Sequence, residues 1–160
     1  MEIIMLRMFL FIGVGLFILA LRRPPQKDWL LIFFVTAYFG SFIGALVVEK
    51  NLISYPVTFL KPPFQSSVLF EFLLLPVLSM YYYQTSYHSN VFGFIWQAAS
   101  YSSVMTIIEF FLERYTDLIE YHQWKWYFTL ITVFTFLICV RSLMWVINKK
   151  SGMLKDPKLQ

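Results

Sequence analysis

Residues 29–48 read Trp-Leu-Leu-Ile-Phe-Phe-Val-Thr-Ala-Tyr-Phe-Gly-Ser-Phe-Ile-Gly-Ala-Leu-Val-Val, twenty positions without an acidic or basic side chain. As a helix rising about 1.5 Å per residue the stretch is roughly 30 Å long, which matches the hydrocarbon core of a bilayer. Four further apolar runs resemble it, at about 3–21, 67–83, 91–112 and 126–147. Five such runs in 160 residues predict an all-α integral membrane protein. The expected architecture is one domain, residues 1–160, forming a bundle of about five transmembrane helices.

Composition agrees. The chain is 59% hydrophobic and 21% aromatic but only 14% charged, against about 25% charged in an ordinary soluble domain. The net charge of +4 does not suggest nucleic acid, because the basic residues sit at the ends of apolar runs rather than in one patch. Arg22, Arg23, Lys27, Lys149, Lys150, Lys155 and Lys158 fall on one side of a five-span topology; Lys50, Lys61, Arg114, Lys125 and arguably Arg7 fall on the other. Basic residues collect on the inner side, so the expected orientation is N-out, C-in. The first run is read as an uncleaved span, since Glu2 leaves its start weakly basic and Ala20-Leu21-Arg22-Arg23 is a poor cleavage site. Cys139, inside an apolar run, is read as a small buried hydrophobe.

The junctions carry helix punctuation. Arg22-Arg23-Pro24-Pro25 ends the first span, and Asp28 is placed to cap a second helix opening at Trp29. Pro76 should kink the short third span. Residues 51–66, with Pro56, Pro62 and Pro63 among apolar side chains, should lie on the membrane surface or fold back over the bundle. Trp29, Tyr81, Tyr82, Tyr83, Trp124, Trp126 and Trp145 are read as headgroup-level aromatics near helix ends.

Two patterns bear on function. Gly40, Ser41, Gly44 and Ala45 put small residues on one helix face, which lets another backbone approach. Packing against the fourth span inside one chain is the preferred reading; self-association through Gly40 and Gly44 is the other. Glu109, Glu113, Asp117 and Glu120 recur every three or four residues, so the fourth helix should continue to about Tyr121 as an amphipathic stalk. Glu71 and Glu109 are flanked by Phe, Ile and Leu. Ionisable groups at such positions usually face the bundle or a cavity. Glu71, Glu109, Glu113 and Glu49 are therefore the candidate proton or cation site, with Lys50, Lys61 and Arg114 as charge partners. Arg141 should snorkel to the inner headgroups or meet a lipid or carboxylate. His88 and His122 fall on opposite sides, and no His/Cys spacing resembles a zinc site.

The segment Leu21-Arg22-Arg23-Pro24-Pro25-Gln26-Lys27-Asp28-Trp29, with Tyr55-Pro56-Val57 and the stretch from Glu109 through Tyr115-Thr116-Asp117-Leu118-Ile119, resembles a family of small uncharacterised multi-pass membrane proteins of spore-forming Gram-positive bacteria. The resemblance implies a bacterial cytoplasmic or spore membrane and brings no activity, cofactor or site with it. Arg22, Arg23, Pro24, Pro25, Lys27, Asp28 and Trp29 are then motif residues whose physical roles are helix termination, capping and surface anchoring. No motif specifies a reaction. A non-catalytic membrane component or complex partner is the first expectation. A proton- or cation-coupled transporter or channel-like protein is the second, and a lipid-binding or lipid-modifying protein the third. The expected partners are the lipid bilayer and other membrane proteins.

Overall fold

The structure is a computed structural model that describes residues 2–58 and 66–150. It is 79% helical. Five α-helices run in chain order: α1 Glu2–Leu21, α2 Gln26–Glu49, α3 Leu75–Ser86, α4 Val91–Tyr115 and α5 Trp126–Lys150. A π-helical turn, Phe70–Leu74, leads directly into α3. Two short strands, β1 Ile53–Ser54 and β2 Glu120–Tyr121, pair antiparallel with Ile53 opposite Tyr121. That pairing holds the α2–α3 and α4–α5 connections together at one end of the bundle. Four helices, α1, α2, α4 and α5, are long and apolar enough to cross a membrane.

The short third helix is the central post. It packs on each of the other four helices, and eight of its twelve residues are buried. By contrast α1 buries only Leu6, Gly13 and Ala20, one narrow stripe at seven-residue spacing. A helix ringed by protein can carry Ser79, Tyr82, Tyr83 and Ser86 inward, which explains why its run is the least apolar. The distinctive turn at its start has a local cause. Pro76 has no N–H for the Phe72 carbonyl, and the Leu75 N–H reaches back to the Phe70 carbonyl, closing a wide turn.

The core falls into three clusters. Trp29, Ile32, Met80, Tyr83, Val140 and Met144 join α2, α3 and α5. Leu75, Tyr82, Ala98, Val133 and Leu137 join α3, α4 and α5. Leu6, Leu69 and Leu118 tie the start of α1 to the strand-bearing end, with Val57 folded back onto them.

Several expectations change. Asp28 lies in the first turn of α2, where Pro25 is the N-cap residue; its side chain is buried and accepts from Asn148 Nδ2 at 3.3 Å. The fourth helix stops at Tyr115 instead of running on to Tyr121. Thr116 takes an extended backbone, its hydroxyl donates to the Leu112 carbonyl, and it accepts the Leu118 N–H. A Ser or Thr side chain that substitutes for backbone partners in this way competes with the helix. The Gly40/Gly44 face packs on the π turn and α3, not on α4, whose main neighbour is α5. Ser41 is partly buried and Ala45 exposed. Trp29, Tyr82 and Tyr83 are core residues, whereas Trp126 and Trp145 are exposed. Cys139 is exposed on α5.

The end of α2 is a feature that sequence reading did not anticipate. Asn51 has φ 52°, the left-handed conformation that Asn tolerates better than most residues. The Asn51 and Leu52 N–H groups bond the Val48 and Val47 carbonyls at 2.9 and 3.1 Å, which is a Schellman closure. The Leu52 carbonyl is thereby turned toward β2 and accepts the N–H groups of His122, Gln123 and Trp124.

Candidate functional site: two carboxyl groups on one cavity

Near the strand-bearing end the packing leaves a cavity of about 80 Å³, room for two or so water-sized bodies. Glu71 from the π turn and Glu109 from α4 both line it, together with Gly44, Tyr55, Trp124 and Thr129. Glu71 is 2% exposed and Glu109 7%.

The two carboxyl groups are held differently. Glu109 Oε1 accepts from the Tyr121 hydroxyl at 2.6 Å and the Thr129 hydroxyl at 2.7 Å. Thr129 in turn accepts from Trp124 Nε1 at 2.8 Å. Glu71 accepts on Oε2 from Ser66 at 2.9 Å, and its Oε1 is buried without a hydrogen-bond partner. An unsatisfied buried acceptor costs about 1–3 kcal/mol, so this oxygen is a liability unless something binds there.

Gly44 makes the placement of Glu71 possible. A Cβ at that position would overlap Oε1 and stand 2.5 Å from Glu71 Cδ. At Gly40 the crowding is milder, with Leu75 Cδ2 at 3.1 Å. The small-residue face therefore seats a buried carboxyl group.

β1, β2 and their flanks form the cover. Tyr55 and Tyr121, both outside the long helices, present phenols to this region. Burial, followed by the nearby Glu109 and Glu71 carboxylates, pushes the Tyr55 phenol well above its ordinary value. For Tyr121 burial again leads, with the charge of Glu109 and the hydrogen bond donated to it acting in the same direction.

The remaining candidates lie elsewhere. Glu49 is exposed, Glu113 is half-buried, and neither lines the cavity. Lys50 and Arg114 are exposed, and no Lys or Arg among the described residues hydrogen-bonds to Glu71 or Glu109. Lys61 lies outside the described residues. Arg141 is at the far end, stacked 5.3 Å from the Tyr83 and Phe94 rings, with Nη2 donating to the Tyr87 carbonyl at 3.4 Å. His122 contacts Ser54 Oγ at 3.0 Å beside the strands. His88 follows α3 at the other end. Among the described residues no three His, Cys, Asp or Glu are grouped to hold a metal ion.

Glu71 and Glu109 stand out in the sequence because they interrupt apolar runs. Tyr55, Ser66, Tyr121, Trp124 and Thr129 do not. The one available signal was on α5, where Thr129, Thr132, Val133 and Phe136 recur at i, i+3, i+4 and i+7 and share a face on the cavity. Comparison of the chain with protein-family models, with curated proteins and with solved structures finds no match.

Proposed function

We propose that the chain is a small polytopic membrane protein that takes up a proton or a small cation at Glu71 and Glu109, as a transporter or channel-like protein would. Membrane insertion is supported by the four long apolar helices and by the apolar surface they present. Phe11, Phe34, Phe42, Phe92, Ile107 and Ile131 are all more than half exposed, an apolar perimeter that water would penalise and lipid would not. Arg22, Arg23, Lys27 and Lys149 are exposed at the end opposite the cavity. By the positive-inside rule that end is cytoplasmic, so the cavity faces the outer leaflet.

The observation that carries the reading is that Glu71, whose buried Oε1 lies against Gly44 without a hydrogen-bond partner, lines the same cavity as a second carboxyl group. Two carboxylates removed from water require compensating charge. Among the described residues no Lys or Arg hydrogen-bonds to either, and on this reading a proton or a cation supplies the compensation. The set of oxygens, two carboxyls with Tyr and Thr hydroxyls, suits a hard cation. This geometry favours the cation reading over that of a non-catalytic complex partner, which rests on composition alone.

The test is flux in liposomes holding purified protein. Wild type should carry protons or a monovalent cation down an imposed gradient, and the Glu71→Gln, Glu109→Gln pair should not. Unchanged flux in the double variant would end the proposal. A Cys placed at Glu120 in a Cys139→Ser background should react with an impermeant reagent from outside; labelling from inside only would invert the orientation.

A further inference from the structure

A second opening adjoins the carboxylate cavity. Between α2 and α5 runs an open cleft of about 600 Å³, walled by Val35, Phe39, Ile131, Thr135, Cys139 and Leu143. Ile43, Thr132 and Phe136 line both the cleft and the cavity, so the two spaces adjoin along these residues. Along α5 the cleft extends from Ile131 to Leu143, roughly 18 Å of helix. One chamber is small, with two carboxyl groups and an unpartnered oxygen. The other is long, apolar and open at the side of the bundle.

We infer that the ligand of this pair of chambers is an amphiphilic ammonium compound, its cationic head on Glu71 and Glu109 and its alkyl tail in the α2–α5 cleft. The inference rests on the cation-site reading above and names the ligand class for that site. Charge complementarity selects the head: the cavity is lined by the two carboxyl residues Glu71 and Glu109 and by Tyr55 and Thr129. The Tyr55 and Trp124 side chains on its wall suit a cation that also meets aromatic faces. The tail contributes differently. Moving an alkyl tail from the bilayer into the cleft gains little, since lipid is as apolar as the cleft. The tail instead concentrates the compound in the membrane and delivers it sideways, while the head supplies the discrimination.

The experiment uses the full chain in lipid nanodiscs and follows thermal unfolding with three probes: dodecylammonium, ammonium ion, and dodecanol as the uncharged tail. Wild type should respond to dodecylammonium at a concentration about tenfold or more below that needed for ammonium, and dodecanol should have no effect. Glu71→Gln with Glu109→Gln should lose both responses. Cys139→Trp, a bulky replacement at an exposed cleft position, should lose the dodecylammonium advantage and keep the ammonium response. Three results would overturn the inference and leave the cation site standing: equal responses to the two ammonium probes, retention of the advantage in Cys139→Trp, or stabilisation by dodecanol equal to that by dodecylammonium. No response to either ammonium probe, together with none to protons or metal cations, would overturn both readings.

Discussion

The two ends of this bundle each bury an acidic side chain, and they treat it in opposite ways. At one end Asp28 accepts from Asn148, which also donates to the Tyr83 hydroxyl at 3.1 Å. Trp29 packs edge-on against Tyr83 and donates to the Arg23 carbonyl at 2.6 Å. Asp28 also sits in the first turn of α2, where free N–H groups and the helix dipole favour negative charge. Asp28, Trp29, Tyr83 and Asn148 each take part in at least one hydrogen bond of that knot. At the other end Glu71, on the wall of a cavity, keeps one buried oxygen unpartnered against Gly44, where any Cβ would overlap it in its present position. A saturated buried network holds helices in place. An unsaturated one beside a void is the arrangement the proposed cation site explains.

The contrast can be broken most forcefully at Gly44. Gly44→Leu should cost about 1–3 kcal/mol in unfolding free energy, since the added side chain must push the Glu71 carboxyl group aside. It should also remove any cation response. A well-folded Gly44→Leu protein that still responds would show that the glycine does not seat the carboxyl group. The opposite end predicts a different pairing of effects. Asn148→Leu should destabilise by about 2 kcal/mol, by stranding Asp28 and the Tyr83 hydroxyl, yet leave the cation response at its wild-type midpoint. Denaturant unfolding alongside a cation titration separates the two outcomes.

A smaller effect sharpens the role of the cover. Tyr121 keeps its proton to higher pH folded than unfolded, because burial and Glu109 oppose ionisation. Its stabilising contribution is complete below pH of about 10 and is lost as pH rises beyond that, at about 1.4 kcal/mol per pH unit. Tyr55 acts with the same sign. Tyr121→Phe should therefore flatten the alkaline limb of a stability–pH profile. An unchanged limb would mean that Tyr121 does not sit buried against Glu109. Smallest of all, Glu71→Gln should change stability by less than about 1 kcal/mol in the absence of cation, because its bare oxygen has no protein bond to lose.

Legibility in the sequence followed the range of each interaction. The apolar runs marked all five helices, since length and hydropathy are local properties, and the observed ends of α1, α2 and α5 lie within three residues of those expected, as does the start of α4. Pro76 announced a disturbance, though not that the turn would widen into a π-helix. Periodicity misled at Thr116: the acidic spacing continued, but a side chain satisfied the backbone and the chain turned into β2. Two-residue strands carry no alternation to detect. The carboxyl groups were legible because they break apolar runs. Their shared cavity was not, because it depends on Gly44, Tyr55 and Thr129 converging from three separate segments.

The most direct test of the central claim is thermal unfolding of the purified protein across pH and a panel of monovalent and divalent cations, comparing wild type with Glu71→Gln, Glu109→Gln. A ligand of the folded state at about 100 times its Kd adds about 2.7 kcal/mol. The account predicts a gain of that order for wild type with one cation, or on protonation, and no such gain for the double variant. The same response in both proteins would make the two glutamates structural and contradict the assignment.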